Sequence, residues 1–263
     1  MVRIVDVAAE QLTAVQKRDV RLLPPYPIAH FGQDAYVADR ENGIFAVADG
    51  IGSRPHSDLA AREALVMFIR AFTARNMPKD AGQARDRIQD GLIDRLQYAV
   101  ALTQGATTLT GVIITPDGQA TYMNAGDSQF LIRRPAQIIR QTSEQGVKRE
   151  MSDQRFYGLY NFFGTANGYD PSIPPMQLTE LPNARSISEG TEWGSVELQE
   201  GDRLILVTDG VIGDRQDERL SELDWLSFTR RALGAKACAH ALTHFSRKID
   251  DTTAVVVDME RHK

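Results

Sequence analysis

The sequence predicts an α+β fold built on antiparallel sheets, and three observations point there. Short apolar runs flank tight turns at Glu41-Asn42-Gly43 and Pro116-Asp117-Gly118, the spacing of β-hairpins. Two helical stretches follow one another directly between Ser57 and Val100, whereas a parallel sheet would need strands and helices in alternation. The chain has 263 residues of which 42% are hydrophobic, enough for the core of one large domain or two small ones.

Each element can be justified in turn. Residues 1–29 are mixed and polar, end in Pro24-Pro25-Tyr26-Pro27, and read as an extended lead-in to a domain spanning 30–263. Asp34 to Asp39 and Ile44 to Ala48 form the first hairpin. Ser57 reads as the N-cap of a helix reaching about Arg75, with Leu59, Leu65, Val66, Ile69 and Phe72 at helical spacing. In the next helix Ile88, Leu92, Leu96 and Ala99-Val100 make one apolar stripe. Asp90-Gly91 falls in its interior, where glycine costs about 1 kcal/mol against alanine. From Thr107 the period becomes that of strands: Thr107 to Thr115, Ala120 to Asn124, then Gln129 to Arg133. Between about 141 and 194 the pattern dissolves among Pro171, Pro174, Pro175, Pro182, Gly158, Gly164 and Gly168, as in a lid or binding loop. Strands return at Ser195 to Leu198 and Arg203 to Thr208. A helical region covers Glu222 to Lys248, and Thr253 to Asp258 closes the chain as a strand.

Composition excludes several classes of function. A net charge of −5 leaves no general basic face for nucleic acid or an anionic membrane. Cys238 is the single cysteine, so no intrachain disulfide forms. No apolar run approaches the roughly 20 residues of a bilayer span, and Met1 to Asp6 carries charge early, without an apolar signal core. A soluble, cytoplasmic protein is expected.

The informative feature is where aspartates sit. Asp49 ends the apolar run Ile44 to Ala48, and Asp209 ends Leu204 to Thr208. Asp127 follows Tyr122 to Gly126, and Asp250-Asp251 precede Thr253 to Val257. Carboxylates gathered at strand ends repel one another unless a hard cation neutralises them, and all-oxygen ligation suits magnesium or manganese. Asp117-Gly118, by contrast, is an ordinary hairpin turn.

Taken in order, these segments resemble the metal-dependent protein phosphatases of type 2C. Gly32-Gln33-Asp34-Ala35-Tyr36 is similar to that family's first motif, and Val47-Ala48-Asp49-Gly50-Ile51-Gly52 to its Val-Ala-Asp-Gly-Met-Gly. Gly105-Ala106-Thr107-Thr108, Asn124-Ala125-Gly126-Asp127-Ser128, Leu206-Val207-Thr208-Asp209-Gly210-Val211 and Asp250-Asp251-Thr252-Thr253 match the motifs that follow. The resemblance implies a four-layer α-β-β-α sandwich, two antiparallel sheets flanked by helices, with a flap at about 141–194. It implies two Mn2+ or Mg2+ ions and a third at a weaker site. Asp49 would bridge two ions and the Gly50 carbonyl would ligate one, while Asp209 and Asp250 complete the other's shell. Asp127 joins Asp209 at the third, and Asp34 holds metal-coordinated water. Asp49, Asp209 and Asp250 are thus the expected catalytic residues. The implied activity is hydrolysis of phosphoserine and phosphothreonine in proteins by a hydroxide bridging two ions. The implied partners are phosphorylated proteins, a serine/threonine kinase or its targets, met by a monomer without nucleic acid or membrane.

The sequence departs from the family in places. Ala29 stands where a phosphate-binding arginine is common, with His30, Arg40 and Arg54 as candidate substitutes. Gln33, Ser53 and Gln129 also differ from common choices. Bacterial branches acting on sporulation and stress-response regulators lack that arginine too. The alternative reading is a weak or inactive pseudophosphatase serving as a regulatory binding module. Other features are set aside. His240 and His244 lie four apart on a helix but lack the His-Glu-x-x-His glutamate, so they read as solvent-facing. Ser128 reads as packing or orienting a turn and Cys238 as a small buried residue. Lys148, Arg149 and Arg155 would lend the flap a positive face toward an acidic phosphorylated substrate.

Overall fold

The computed structural model describes residues 2–12, 28–52, 54–73, 77–135, 137–143, 146–151, 154–159, 162–164, 190–213, 222–245 and 250–261. Two antiparallel sheets carry the chain. The first runs in the order β1 (Val2–Leu12), β15 (Thr252–Arg261), β14 (Arg203–Val207), β8 (Gln129–Arg134) and β9 (Gln137–Gln141). The second runs β13 (Glu192–Glu197), β7 (Gln119–Ala125), β6 (Leu109–Ile114), β4 (Ile44–Asp49), β3 (Asp34–Asp39) and β2 (Ile28–Phe31). Two short ladders pair β5 (Ala106–Thr107) with β12 (Phe163–Gly164), and β10 (Gly146–Met151) with β11 (Gln154–Leu159).

Alternation along the strands makes the layers. In β4, Phe45 and Val47 face the other sheet, while Ile44, Ala46 and Ala48 face helices. In β14, Leu204 and Leu206 meet them between the sheets, and Ile205 and Val207 point to the opposite helical layer. Val255 and Val257 of β15 turn inward, Ala254 and Val256 outward. Both faces of these central strands are therefore apolar, which is why they read as continuous hydrophobic runs. Each fully buried side chain of this size contributes about 1.5–3 kcal/mol.

On the second sheet lie α1 (Ser57–Ala71) and α3 (Ile93–Ala101), which supply Leu65, Phe68, Leu96 and Val100 to that outer core. Gly111 of β6 lets α1 sit close, since a Cβ there would meet the Phe68 ring at 2.4 Å. The first sheet is covered by α6 (Ala235–His244), with the one-turn α4 (Asp209–Ile212) and α5 (Glu222–Phe228) beside it. The result is an α-β-β-α arrangement. Cys238, on the buried face of α6, is fully enclosed, and burial pushes its thiol up to about 11. Arg203 and Asp258, register partners on β14 and β15, form a buried two-pronged ion pair at 2.7 and 2.8 Å.

Four local expectations change. The expected lead-in contains β1, an eleven-residue strand paired along β15, so sheet structure begins at Val2 rather than near residue 30. Its charged, irregular pattern belongs to an edge strand whose partner lies at the other end of the chain. Residues 13–27 lie outside the described residues, as do 165–189 of the expected flap. Ser57 is the first residue of α1 and not its cap; its hydroxyl donates to the Ile51 and Arg54 carbonyls, and His56 at φ 55° precedes the helix. Asp90-Gly91 is not helix interior. Gly91 at φ 88° breaks the chain between α2 (Ala81–Arg87) and α3 through a π-type turn that keeps Ile88 and Leu92 buried. Finally, the region from 222 to 248 is two helices separated by a turn ending at Gly234, with 246–249 outside the described residues.

Candidate active site

Asp34 opens β3 and Asp49 ends β4, and the register sets them directly opposite each other at one end of the hairpin. The link into the hairpin is tight. Gly50 N donates to the Gln33 carbonyl at 3.1 Å, and a Cβ on Gly50 would lie 2.6 Å from the Ser57 carbonyl oxygen. The Gly105 to Thr108 segment pins the Asp49 backbone: Thr107 Oγ1 and Thr108 N donate to its carbonyl at 2.8 Å, and its own N–H donates to Thr108 Oγ1. Ser128 is buried and bonded to Thr108 Oγ1 at 2.9 Å.

Sheet one completes the site. Thr208 at the end of β14 and Thr253 near the start of β15 both donate to Asp34 Oδ2, at 2.9 and 2.7 Å. Thr253 N in turn donates to Thr208 Oγ1. One carboxylate on the second sheet is thereby held by two hydroxyls from the first. Asp34 Oδ1 is buried and has no hydrogen-bond partner among the described residues. Asp209 follows Thr208 directly at the head of α4. Gly210 allows the close crossing there, because a Cβ would fall 1.8 Å from the Asp251 carbonyl oxygen. Asp127, buried at the end of β7, comes in behind Gly126 at φ 114°.

These carboxylates act on one another. Burial chiefly, then the charges of Asp251 and Asp209, push Asp34 up to about 8, against the lowering effect of its two threonine donors. Asp49 is raised well above the carboxylate range by burial and then by Asp209, Asp34 and Asp127, and it shares a hydrogen bond with Asp209. A carboxyl–carboxyl bond requires a proton between two acids. Asp34, Asp49, Asp127 and Asp209 thus come together at one end of the sandwich.

Asp250 is placed differently: it is exposed, and its Oδ1 accepts the Asp251 N–H at 2.9 Å. Sequence reasoning passed over Asp251 as a site residue. Asp251 Oδ2 accepts from Gln33 N at 2.7 Å and bears on Asp34. The Thr208 and Thr253 hydroxyls were also missed; the threonines in the Thr208-Asp209 and Asp250-Asp251-Thr252-Thr253 segments were the available signal. Of the candidate phosphate ligands, Arg40 sits at the far end of β3 and donates to the Ile4 carbonyl, so it does not serve the site. Arg54 lies in the turn directly after Asp49-Gly50, its N–H on the Ile51 carbonyl. Ser53 lies outside the described residues, as do the side chains of Ala29, His30, Lys148, Arg149 and Arg155.

The family model for protein phosphatase 2C matches residues 30–245. The chain belongs to this family. The fold agrees. The PPM Ser-Thr phosphatase MsPP from Mycobacterium smegmatis, in complex with cacodylate, superposes with a TM-score of 0.60 at 20% identity, covering 97% of this chain and 99% of that one. The catalytic domain of the serine threonine protein phosphatase PstP, with two manganese ions, gives 0.59 at 15% identity, covering 99% and 100%. RsbX in complex with magnesium gives 0.51 at 15% identity, covering 99% and 100%. Among curated protein sequences none matches the chain. The phosphatase 2C motifs named from sequence are thus the segments that deliver Asp34, Asp49, Asp127 and Asp209 to one end of the sandwich.

Proposed function

We propose that this chain is a divalent-metal-dependent phosphatase acting on phosphoserine and phosphothreonine in proteins. The observation that carries the reading is the convergence of the buried Asp34 and Asp127 with the half-buried Asp49 and Asp209, with Asp34 Oδ1 an acceptor left over inside it. Such a set is unfavourable as four anions and suits a hard cation with oxygen ligands, so the residues fit manganese or magnesium. Asp49, the Gly50 carbonyl, Asp209 and Asp250 would hold two ions, and Asp127 with Asp209 a third. When bound, the ions supply an activated water for in-line attack on phosphorus and neutralise the phosphoryl oxygens. Asp34, fixed by Thr208 and Thr253, offers Oδ1 to orient a water and to take up its proton. Arg54, four residues beyond Gly50, is the candidate substitute for the missing arginine at a substrate phosphate. The related structures with bound manganese and magnesium support the metal assignment for the family.

The proposed setting is cytoplasmic signalling by a monomer. No described helix is long and apolar enough to cross a membrane. The second reading, a pseudophosphatase used as a binding module, is favoured by Ala29 in place of the family's arginine. Hydrolysis of a phosphothreonine peptide decides between them. Manganese-dependent turnover that falls about a hundredfold or more in Asp49→Asn supports the enzyme. Turnover that is absent, or indifferent to both manganese and the substitution, supports the binding module.

A further inference from the structure

A second cluster of metal-ligating groups lies on the helical side of the first sheet. His240 and His244 of α6 are joined there by Glu10 of β1, and one ligand atom from each of the three lies within 4.8 Å of the others. Glu10 Oε1 stands 3.0 Å from His240 Nδ1 and 3.4 Å from His244 Nδ1, and the two imidazole centroids are 3.6 Å apart. The pair is therefore not simply solvent-facing: the glutamate that the helix lacks arrives from a strand some 230 residues earlier.

We propose that Glu10, His240 and His244 form a zinc site that staples the first strand of the chain to its last described helix. The donor set is two imidazoles and one carboxylate, a borderline combination that suits zinc rather than magnesium. Zinc–ligand bonds of about 2.1 Å set tetrahedral ligand–ligand edges near 3.4 Å, close to the two separations that Glu10 makes. His244 Nδ1 also lies 3.0 Å from the His240 carbonyl, a contact that it would exchange for the ion when zinc binds. His240 is 57% exposed, so an ion and a completing water have open access.

The framework that brings the three groups together is rigid. Asp6 and Glu10 share a face of β1. Asp6 Oδ2 accepts the Ala235 N–H at the start of α6, and Ala8 between them packs into the core beneath the helix. Four strand residues advance about 13 Å, and His240 and His244 lie about 7.5 and 13.5 Å along the helix from Ala235, so Glu10 meets the second half of the helix. The site is separate from the aspartate cluster, which lies on the other face of the sheet. The two are neighbours through β1, because Gln11 Nε2 donates to the Asp34 carbonyl at 3.0 Å.

The test uses the full chain with saturating magnesium, titrated with cobalt(II) and separately with zinc. In the wild type, cobalt should give the intense visible absorption of a four-coordinate nitrogen–oxygen site, which a six-coordinate all-oxygen site lacks. Zinc should raise the melting temperature. His240→Ala and Glu10→Gln, both at partly exposed positions, should keep the same circular dichroism, lose the cobalt band and bind zinc about tenfold or more weakly. A wild type without the band, or variants that take up zinc like the wild type, would overturn the proposal. Because the cobalt band reports nitrogen ligation and the variants lie outside the aspartate cluster, neither outcome depends on the phosphatase reading.

Discussion

Gly210 and Gly91 separate two reasons why a position is glycine. At Gly210 a Cβ would press 1.8 Å from the Asp251 carbonyl oxygen, backbone that cannot swing aside. Gly210→Ala should therefore destabilise by about 1–3 kcal/mol and weaken manganese binding, read by urea denaturation and calorimetric titration. At Gly91 nothing lies within 4 Å, and only the φ of 88° resists a side chain. Gly91→Ala should cost about 1–2 kcal/mol and leave manganese binding alone. Thr253→Val tests the hold on Asp34. It deletes the 2.7 Å donor to Oδ2 and keeps the shape, so a loss of about 1–3 kcal/mol is expected in denaturation. At this scale the sequence showed aspartates at strand ends but not how they are held. Asp250 and Asp251 are adjacent and chemically identical. Which of them reaches the Gly32-Gln33 turn depends on how the chain bends before β15, and spacing alone does not reveal that.

Among the elements, β1 was the hardest to see. Hairpin strands such as β3 and β4 announce themselves by alternation around a local turn, whereas β1 pairs with β15 across nearly the whole chain. Its side chains are mostly half-buried, so its hydrophobic pattern is diluted by Arg3, Asp6 and Glu10. Removing residues 1–12 should expose the unpaired edge of β15 and the flank of α6. The truncated protein is expected to melt lower and to form higher-order species in size-exclusion chromatography, as bare hydrophobic edges do. An unchanged monomeric profile would show that β1 is dispensable. The break at Gly91 was legible in part: the glycine was noted as unfavourable within a helix, and the structure shows the helix ending there instead.

For the whole molecule, the aspartate cluster sets a pH dependence that metal should remove. Asp34 titrates near 8 in the folded chain and near 3.8 as a free carboxyl, so between these values the folded state holds a proton that the unfolded state has released. Its contribution is fully present below about pH 4 and is lost as pH rises through about 8. The melting temperature of the EDTA-treated protein should fall from pH 5 to pH 8, with Asp49, raised in the same direction, adding to the slope. Manganese should flatten the curve, since a cation then replaces the protons. A metal-free protein that is equally stable across this range would contradict the coupling.

The sequence by itself determined the class of fold, the central strands and the four aspartates at their ends. Those features rest on local periodicity and on motifs short enough to be read in place. Only the tertiary structure decided that Thr208 and Thr253 reach across from one sheet to grip Asp34 on the other. It also decided that Asp251 rather than Asp250 contacts Gln33 and that Glu10 joins the two histidines. Each of these depends on chain segments that approach only after the sheets have packed face to face, and contacts at such separation leave no period in the sequence.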